Sequence, residues 1–338
     1  GMQVLTANAT SNEDLFYALR GGGVGFGVVV EWQFQLHPTP PFVTEILYEF
    51  PLKVYYNNGS RVDAGKEVLR NFMHNATFWE TLPNGWGGWR SLDTSTGYSV
   101  AEGEGYLGQM SGSLVYVGGD ATEATKLVTR LQDFQPAWRN SYNTFMVTLE
   151  YASLLDYVEN GTTAAGSYYR QFIGNVFAGR DELKDESITD AVVDNLVNIA
   201  YQGGNMNYFT NDVLGGKIND PDALEATAVS AQFRRALFEI GPNQGWVDPA
   251  YDMYYNSLSS TLAAQLYALS NGSYVNEWST IPRTYDDFSD WKYRFWGDKY
   301  EGLLAIKEKY DPCNFFSVKK GVGSDEPINT CWRNQKPK

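Results

Sequence analysis

The stretch Gly21-Gly22-Gly23-Val24-Gly25-Phe26-Gly27 is the most distinctive local feature of the chain. Glycines let backbone N–H groups come close to a phosphate or a flat ring. The run follows a predicted helix and precedes a predicted strand. That order is the reverse of the Rossmann and Walker loops, and the spacing fits neither pattern. The same residues serve equally as a tight turn with no ligand, and the residues alone leave both readings open.

Few other residues form a familiar chemical pattern. No G-x-S-x-G nucleophile elbow occurs. The two histidines are His37, directly before a proline, and His74, beside a glycosylation sequon. Both read as structural or exposed rather than catalytic. With only Cys313 and Cys331 besides, no metal centre is expected, although oxygen-ligated cations stay open. Proton transfer then falls to Tyr, Glu, Asp, Lys or Arg, or to a cofactor. Tyr274-Val275-Asn276-Glu277 is followed by Trp291, by Phe295-Trp296, and by Leu303 to Tyr310 ending at Asp311-Pro312. Taken alone, that is an amphipathic helix stopped by Asp-Pro with aromatics beneath it.

The elements that must position these residues mix helices and strands. Ser11, with Asp14 three residues on, predicts a capping box opening a helix that Gly21 stops. Residues 28–36 predict a strand, buried at first and then alternating, closed by His37-Pro38-Thr39-Pro40-Pro41. Further strands are expected at 43–50, 97–108, 111–117, 142–149, 204–209 and 233–240. Helices are expected at 63–73, 121–134, 187–200, 258–269 and 299–310. Strands interrupted by helices without strict alternation predict an α+β layer, an antiparallel sheet flanked by helices.

Composition bounds the function. The 338 residues carry 26 Lys and Arg against 40 Asp and Glu, a net charge of −14. A nucleic-acid binder needs a basic footprint instead. No apolar run approaches the ~20 residues of a membrane span. The 10 Trp, 23 Tyr and 18 Phe suit a sheet-rich core, and some could line a pocket for a flat or sugar-like ligand. An even cysteine count suits one disulfide between Cys313 and Cys331, 18 positions apart. Sequons at Asn8, Asn58, Asn75, Asn160 and Asn271 point to a secreted, extracellular glycoprotein. Gly1 to Thr6 read as a strand already under way, which suits a fragment or a processed product.

Asp14 to Gly23, then Phe26-Gly27-Val28-Val29 through Leu36-His37-Pro38, resemble the last helix and strand of the flavin domain of berberine-bridge-like FAD-linked oxidases of the vanillyl-alcohol-oxidase type. Tyr274-x-Asn276 and Lys307-x-Lys309-Tyr310-Asp311-Pro312-x-x-x-Phe316 resemble that family's C-terminal segment. Gly203-Gly204-Asn205-Met206 and Gly321-Val322-Gly323-Ser324 resemble further elements, the latter the tail of secreted fungal members. The resemblance implies three parts: 1–38, the end of a PCMH-type FAD-binding domain; 39–265, a substrate domain with a large antiparallel sheet; and 266–338, a segment returning to the flavin. It implies FAD held by Gly22, Gly23, Gly25, Phe26, Gly27, Val28, Asn276 and Asn314. The family's flavin-linking residues are absent from this sequence, so a companion chain carrying the rest of the flavin domain is expected. In carbohydrate-oxidising relatives a tyrosine base follows the Tyr-x-Asn element. Here that position is Glu277, with Tyr274 beside it. The resemblance implies hydride transfer from an alcohol or carbohydrate hydroxyl to FAD and reoxidation by O2 to H2O2. A flavin dehydrogenase or cyclase of a secondary metabolite and a non-catalytic glycoprotein that retains the fold are the alternatives.

Overall fold

A computed structural model describes residues 4–74, 81–82, 85–96, 105–118, 121–133, 145–161, 170–201, 209–214, 216–220, 222–277 and 290–326. The strands are β1 (Val43–Tyr55), β2 (Arg61–Asp63), β3 (Trp86–Thr96), β4 (Gly105–Val117), β5 (Phe145–Tyr151), β6 (Arg170–Ile173), β7 (Val176–Ala178), β8 (Phe209–Val213) and β9 (Phe238–Trp246). They form one antiparallel sheet in the order β2-β1-β4-β3-β8-β9-β6, with β5 also on β1 and β7 also on β9. The main helices are α1 (Glu13–Ala18), α2 (Gly65–His74), α3 (Ala121–Asp133), α4 (Glu186–Tyr201), α5 (Ala231–Arg235), α6 (Asp252–Leu269), α7 (Trp291–Trp296) and α8 (Tyr300–Tyr310).

Period-two alternation decides which face of the sheet is covered. Along β1, Ile46, Tyr48, Phe50, Leu52 and Val54 enter the main core. There they meet Val68, Leu69 and Phe72 of α2, Leu127 and Leu131 of α3, Val193 and Leu196 of α4, and Leu262 and Leu266 of α6. Leu52 is fully buried, so its truncation to Ala costs about 2–5 kcal/mol. The helices thus lie on one face. The other carries Glu45 and Leu47 on β1, Ser113 on β4, Trp89 on β3, Asp212 on β8, and Glu239 on β9.

A second core joins the two ends of the described chain. Leu15 and Ala18 of α1 and Phe26 pack with Phe295, Trp296, Tyr300, Leu303 and Val322. Buried polar contacts fasten it. Lys307 Nζ donates to the carbonyls of Gly25 (2.5 Å) and Phe316 (3.1 Å) and to Asp311 Oδ2 (2.5 Å). The other motif residues reach α1: Lys309 Nζ donates to Asp14 Oδ2 at 2.6 Å and Tyr310 Oη to Asp14 Oδ1 at 2.7 Å.

Several expectations need correction. Residues 28–36 form no strand, and Val28, Val30, Phe34 and Leu36 are exposed. No other described strand pairs with them, so their apolar pattern has nothing to face. The capping box at Ser11 does not form. Asn12 precedes α1 in the left-handed region, φ 47°, without a side-chain cap. Residues 233–235 belong to α5, because Ser230 Oγ accepts from Phe233 N and starts a helix before β9. Of the strand expected at 204–209 only Phe209 is described, and it opens β8 (Phe209–Val213). The Trp86–Thr96 strand was not foreseen; its many Gly, Ser, Thr and Asp residues hide it. Residues 97–104, 142–144 and 203–206 lie outside the described residues.

Candidate active site

The loop 270–277 leaves α6 and crosses the end of β7. Phe177 N donates to Gly272 O at 2.9 Å, and Ser273 Oγ donates to Asn175 O at 2.9 Å. Asn175, buried just before β7, grips the loop twice: its Oδ1 accepts from Tyr274 N (2.7 Å) and its Nδ2 donates to Glu277 O (2.5 Å). Tyr274 stacks on Phe233, ring centroids 6.2 Å apart, and its Oη accepts from Asn276 Nδ2 at 2.9 Å. Phe233 in turn meets Phe177 edge-on at 4.8 Å. Glu277 is therefore held by its own backbone and by an aromatic stack.

The Glu277 side chain stands within hydrogen-bonding reach of the Glu239 carboxyl. Glu239 is 8% exposed and sits directly opposite Asp212 in the β8–β9 ladder. Directly opposed residues of an antiparallel pair share a face, with Cβ atoms about 4.5–5.5 Å apart. Burial, then the Glu277 and Asp212 charges, push the Glu239 carboxyl up to about 8. Burial and then Glu277 push Asp212 up to about 6. Burial raises Glu277 too, opposed by the Glu239 hydrogen bond. Titratable groups displaced together in this way make the three carboxyls the candidate for proton transfer.

Another buried carboxylate on the same face behaves differently. Glu45 accepts from Ser113 Oγ at 2.6 Å and from Tyr151 Oη at 2.9 Å. Burial first, and then that bond, push the Tyr151 phenol up to about 12. Two hydroxyl donors satisfy Glu45, which marks it as structural.

The glycine run lies against this loop. A Cβ on Gly23, where φ is +80°, would stand 3.4 Å from Trp296 Cζ2 and 4.0 Å from Val275 Cγ1. Gly25, φ +117°, runs against Phe316 O, where a Cβ would stand at 2.9 Å. Both positions take a positive φ that favours glycine, and at Gly25 a side chain would also crowd Phe316 O. Among the expected cofactor-binding residues, Gly22 and Phe26 pack inward, Gly22 against Ala18, Leu303 and Phe26 itself. Gly27 meets no atom within 4 Å where a Cβ would point, and Val28 is exposed. Asn276 is exposed, while Asn314 is buried, φ 47°, its Nδ2 donating to Gly323 O and Glu326 O. Asn314 thus closes the 311–326 turn.

Sequence reasoning did not single out Asp212, Glu239 or Asn175. For Glu239 a signal existed: one carboxylate between Phe238 and Ile240 in an apolar strand. Among the described residues no group of three or more His, Cys, Asp or Glu is arranged to hold a metal ion, and no helix is long and apolar enough to cross a membrane. Cys313 is disulfide-bonded; Cys331 and Asn75 lie outside the described residues. His74 meets Thr189 and, at 3.3 Å, Asp190, away from the loop.

Residues 269–323 match the family model "Berberine and berberine like". The span contains Tyr274, Asn276, Glu277 and the Lys307–Asp311 fastening. The chain is similar, at 23% identity and TM-score 0.73 over 97% of its length, to the VAO-type flavoprotein MtVAO713 from Myceliophthora thermophila C1, of which it covers 56%. This chain has a vanillyl-alcohol-oxidase-type fold with a berberine-like C-terminal segment. It is 27% identical to the FAD-linked oxidoreductase ZEB1 of Gibberella zeae and 29% identical to the FAD-linked oxidoreductase apf9 of Gibberella fujikuroi. Each match covers 96% of this chain and 52% or 54% of the relative. The chain spans about half the length of these curated relatives.

Proposed function

We propose that this chain supplies the substrate face of an FAD-dependent oxidase acting on a CH–OH group of an alcohol or carbohydrate. The observation that carries the reading is the meeting of three parts: the glycine run at Gly23, the berberine-like loop at Val275 to Glu277, and the buried carboxylates of the sheet. The residues fit a flat ring system. Gly27 and Val28 leave open space beside the run, and Asn276 offers an exposed amide. Bound there, FAD would supply the two-electron acceptor for the substrate's hydride, with O2 as the final acceptor and H2O2 as its product. Glu277 would accept the proton of the substrate hydroxyl as the alcohol is oxidised to the carbonyl. Tyr274 and Asn276 fix the loop that presents Glu277. Asp212 keeps the local field negative, which favours proton uptake.

The exposed apolar side chains of residues 28–36 support a companion segment packing there, bearing the remainder of a flavin domain. Exposed sequon asparagines at 8, 58, 160 and 271, with a bonded Cys313, support secretion. The native assembly should be yellow. Anaerobic addition of a primary or secondary alcohol or oligosaccharide should bleach it, and air should restore the colour with one H2O2 per turnover. A colourless assembly that takes up no added FAD, or a flavin bleached by no CH–OH compound, contradicts the proposal.

A further inference from the structure

We propose that Glu239 is the positioning residue of this site, a neutral carboxylic acid at pH 7 that donates its proton in a hydrogen bond to Glu277 and keeps that carboxylate charged and aimed. The inference rests on reading Glu277 as the proton acceptor, and it adds a residue to which neither the motif nor the berberine-like segment extends.

Glu239 meets Asp212 across the ladder and Glu277 from the loop, while Phe177 of β7, directly opposite on its other side, brings no charge. Trp89 of β3, beyond Asp212, brings none either. Carboxylates in such contact cannot all ionise, so the cluster retains a proton. Glu239 retains it for two reasons. It faces Asp212 across the ladder and Glu277 from the loop, and it is the most buried of the three, Asp212 and Glu277 being intermediate. Its Oε1 meets no partner among the described residues. Two carboxylates that stand together in this way need a donor between them, not a second acceptor, and a neutral Glu239 supplies it. The directions of titration agree: Glu239 is pushed up to about 8, and its bond opposes the rise at Glu277. Above that pH the donor becomes a third negative charge. Glu277 then loses its fixed partner, and substrate oxidation slows.

Infrared titration of the full chain is the test, because it needs neither flavin nor substrate. Wild type should show a carboxylic-acid C=O band at pH 7 that disappears around pH 8, and Glu239→Gln should lack it. No band at pH 7, or the same band in Glu239→Gln, overturns the proposal. If that variant does not fold, Asp212→Asn replaces it: removing the facing charge should lower the pH at which the band disappears, and an unchanged midpoint overturns the coupling. In the flavin-loaded assembly, Glu239→Gln keeps an N–H donor, so the fall in reduction rate near pH 8 should vanish while the rate at pH 7 stays within about tenfold. A merely structural role would lower the rate at every pH. A missing band leaves the role of Glu277 standing. An unchanged rate in Glu277→Gln removes that role and leaves the proton on Glu239.

Discussion

Lys307 in the terminal clamp and Glu239 on the sheet face are buried almost alike, 2% and 8% exposed, yet their surroundings are opposite. Lys307 has two carbonyls and the Asp311 carboxylate around its ammonium. Nearby, Lys299 is enclosed by the carbonyls of Leu224, Thr227 and Val229. Glu239 has carboxylates for neighbours. A buried charge ringed by opposite partners is fixed, and its site holds pieces of chain together. A buried acid facing like charge keeps a proton that can move. The comparison separates fastening from chemistry inside one molecule. The clamp carries the most recognisable sequence motif, and the proton-handling site draws two of its three carboxylates from outside any motif.

The sharpest way to break this contrast is to remove one clamp charge. Lys307→Met leaves Asp311 buried without its cation and should cost about 3–5 kcal/mol in denaturant unfolding. A loss below about 1 kcal/mol would mean that the clamp is not held by that pair. Asn175→Ala strips the Tyr274 N–H and the Glu277 carbonyl of their partners. It should cost about 1–3 kcal/mol, and flavin reduction should slow more than reoxidation because the loop aiming Glu277 is loosened.

The sheet face should also leave a pH signature on stability. Burial and then the neighbouring carboxylates push Glu239 up to about 8 and Asp212 up to about 6 in the folded chain, above the ordinary carboxylate range of an unfolded one. Between that range and those values the folded chain binds more protons than the unfolded one, so these two groups lower stability as pH rises. Their part is fully favourable below pH 4 and spent above about 8. Glu239→Gln should flatten the slope between pH 5 and 8 by up to about 1.4 kcal/mol per pH unit, read from urea midpoints. The smallest effect belongs to the solvent. Lys66→Ala, breaking the exposed pair with Asp194, should change stability by less than about 1 kcal/mol.

The α+β sheet was legible because β1 and β4 alternate and because α3, α4 and α8 carry helical periodicity. Glycine at 23 and 25 was legible as close backbone approach. The apolar pattern of 28–36 misled: it predicts a strand, yet these residues form none and meet no pairing partner among the described strands. The functional face was harder to read. Asp212 and Glu239 lie 27 positions apart and become neighbours only through the β8–β9 register. That register is a tertiary fact, since one residue of slip would turn Asp212 into the core. Asn175 gave no signal because its partners are backbone groups some hundred residues away. Conversely, the Lys307 to Asp311 motif was visible, but its structural work follows only from its distances to Gly25 and Phe316.

The central claim, that chemistry resides in the carboxylates facing each other on the sheet while the clamp only holds, is tested most directly by stopped-flow measurement of both half-reactions in Glu277→Gln. The substitution keeps shape and removes the proton acceptor. Reduction of the flavin by substrate should slow by about 10²–10⁴-fold, the usual worth of a general base, with reoxidation by O2 and thermal stability nearly unchanged. A variant whose flavin-loaded fraction is reduced at the wild-type rate, or one that loses flavin and stability together, would contradict it.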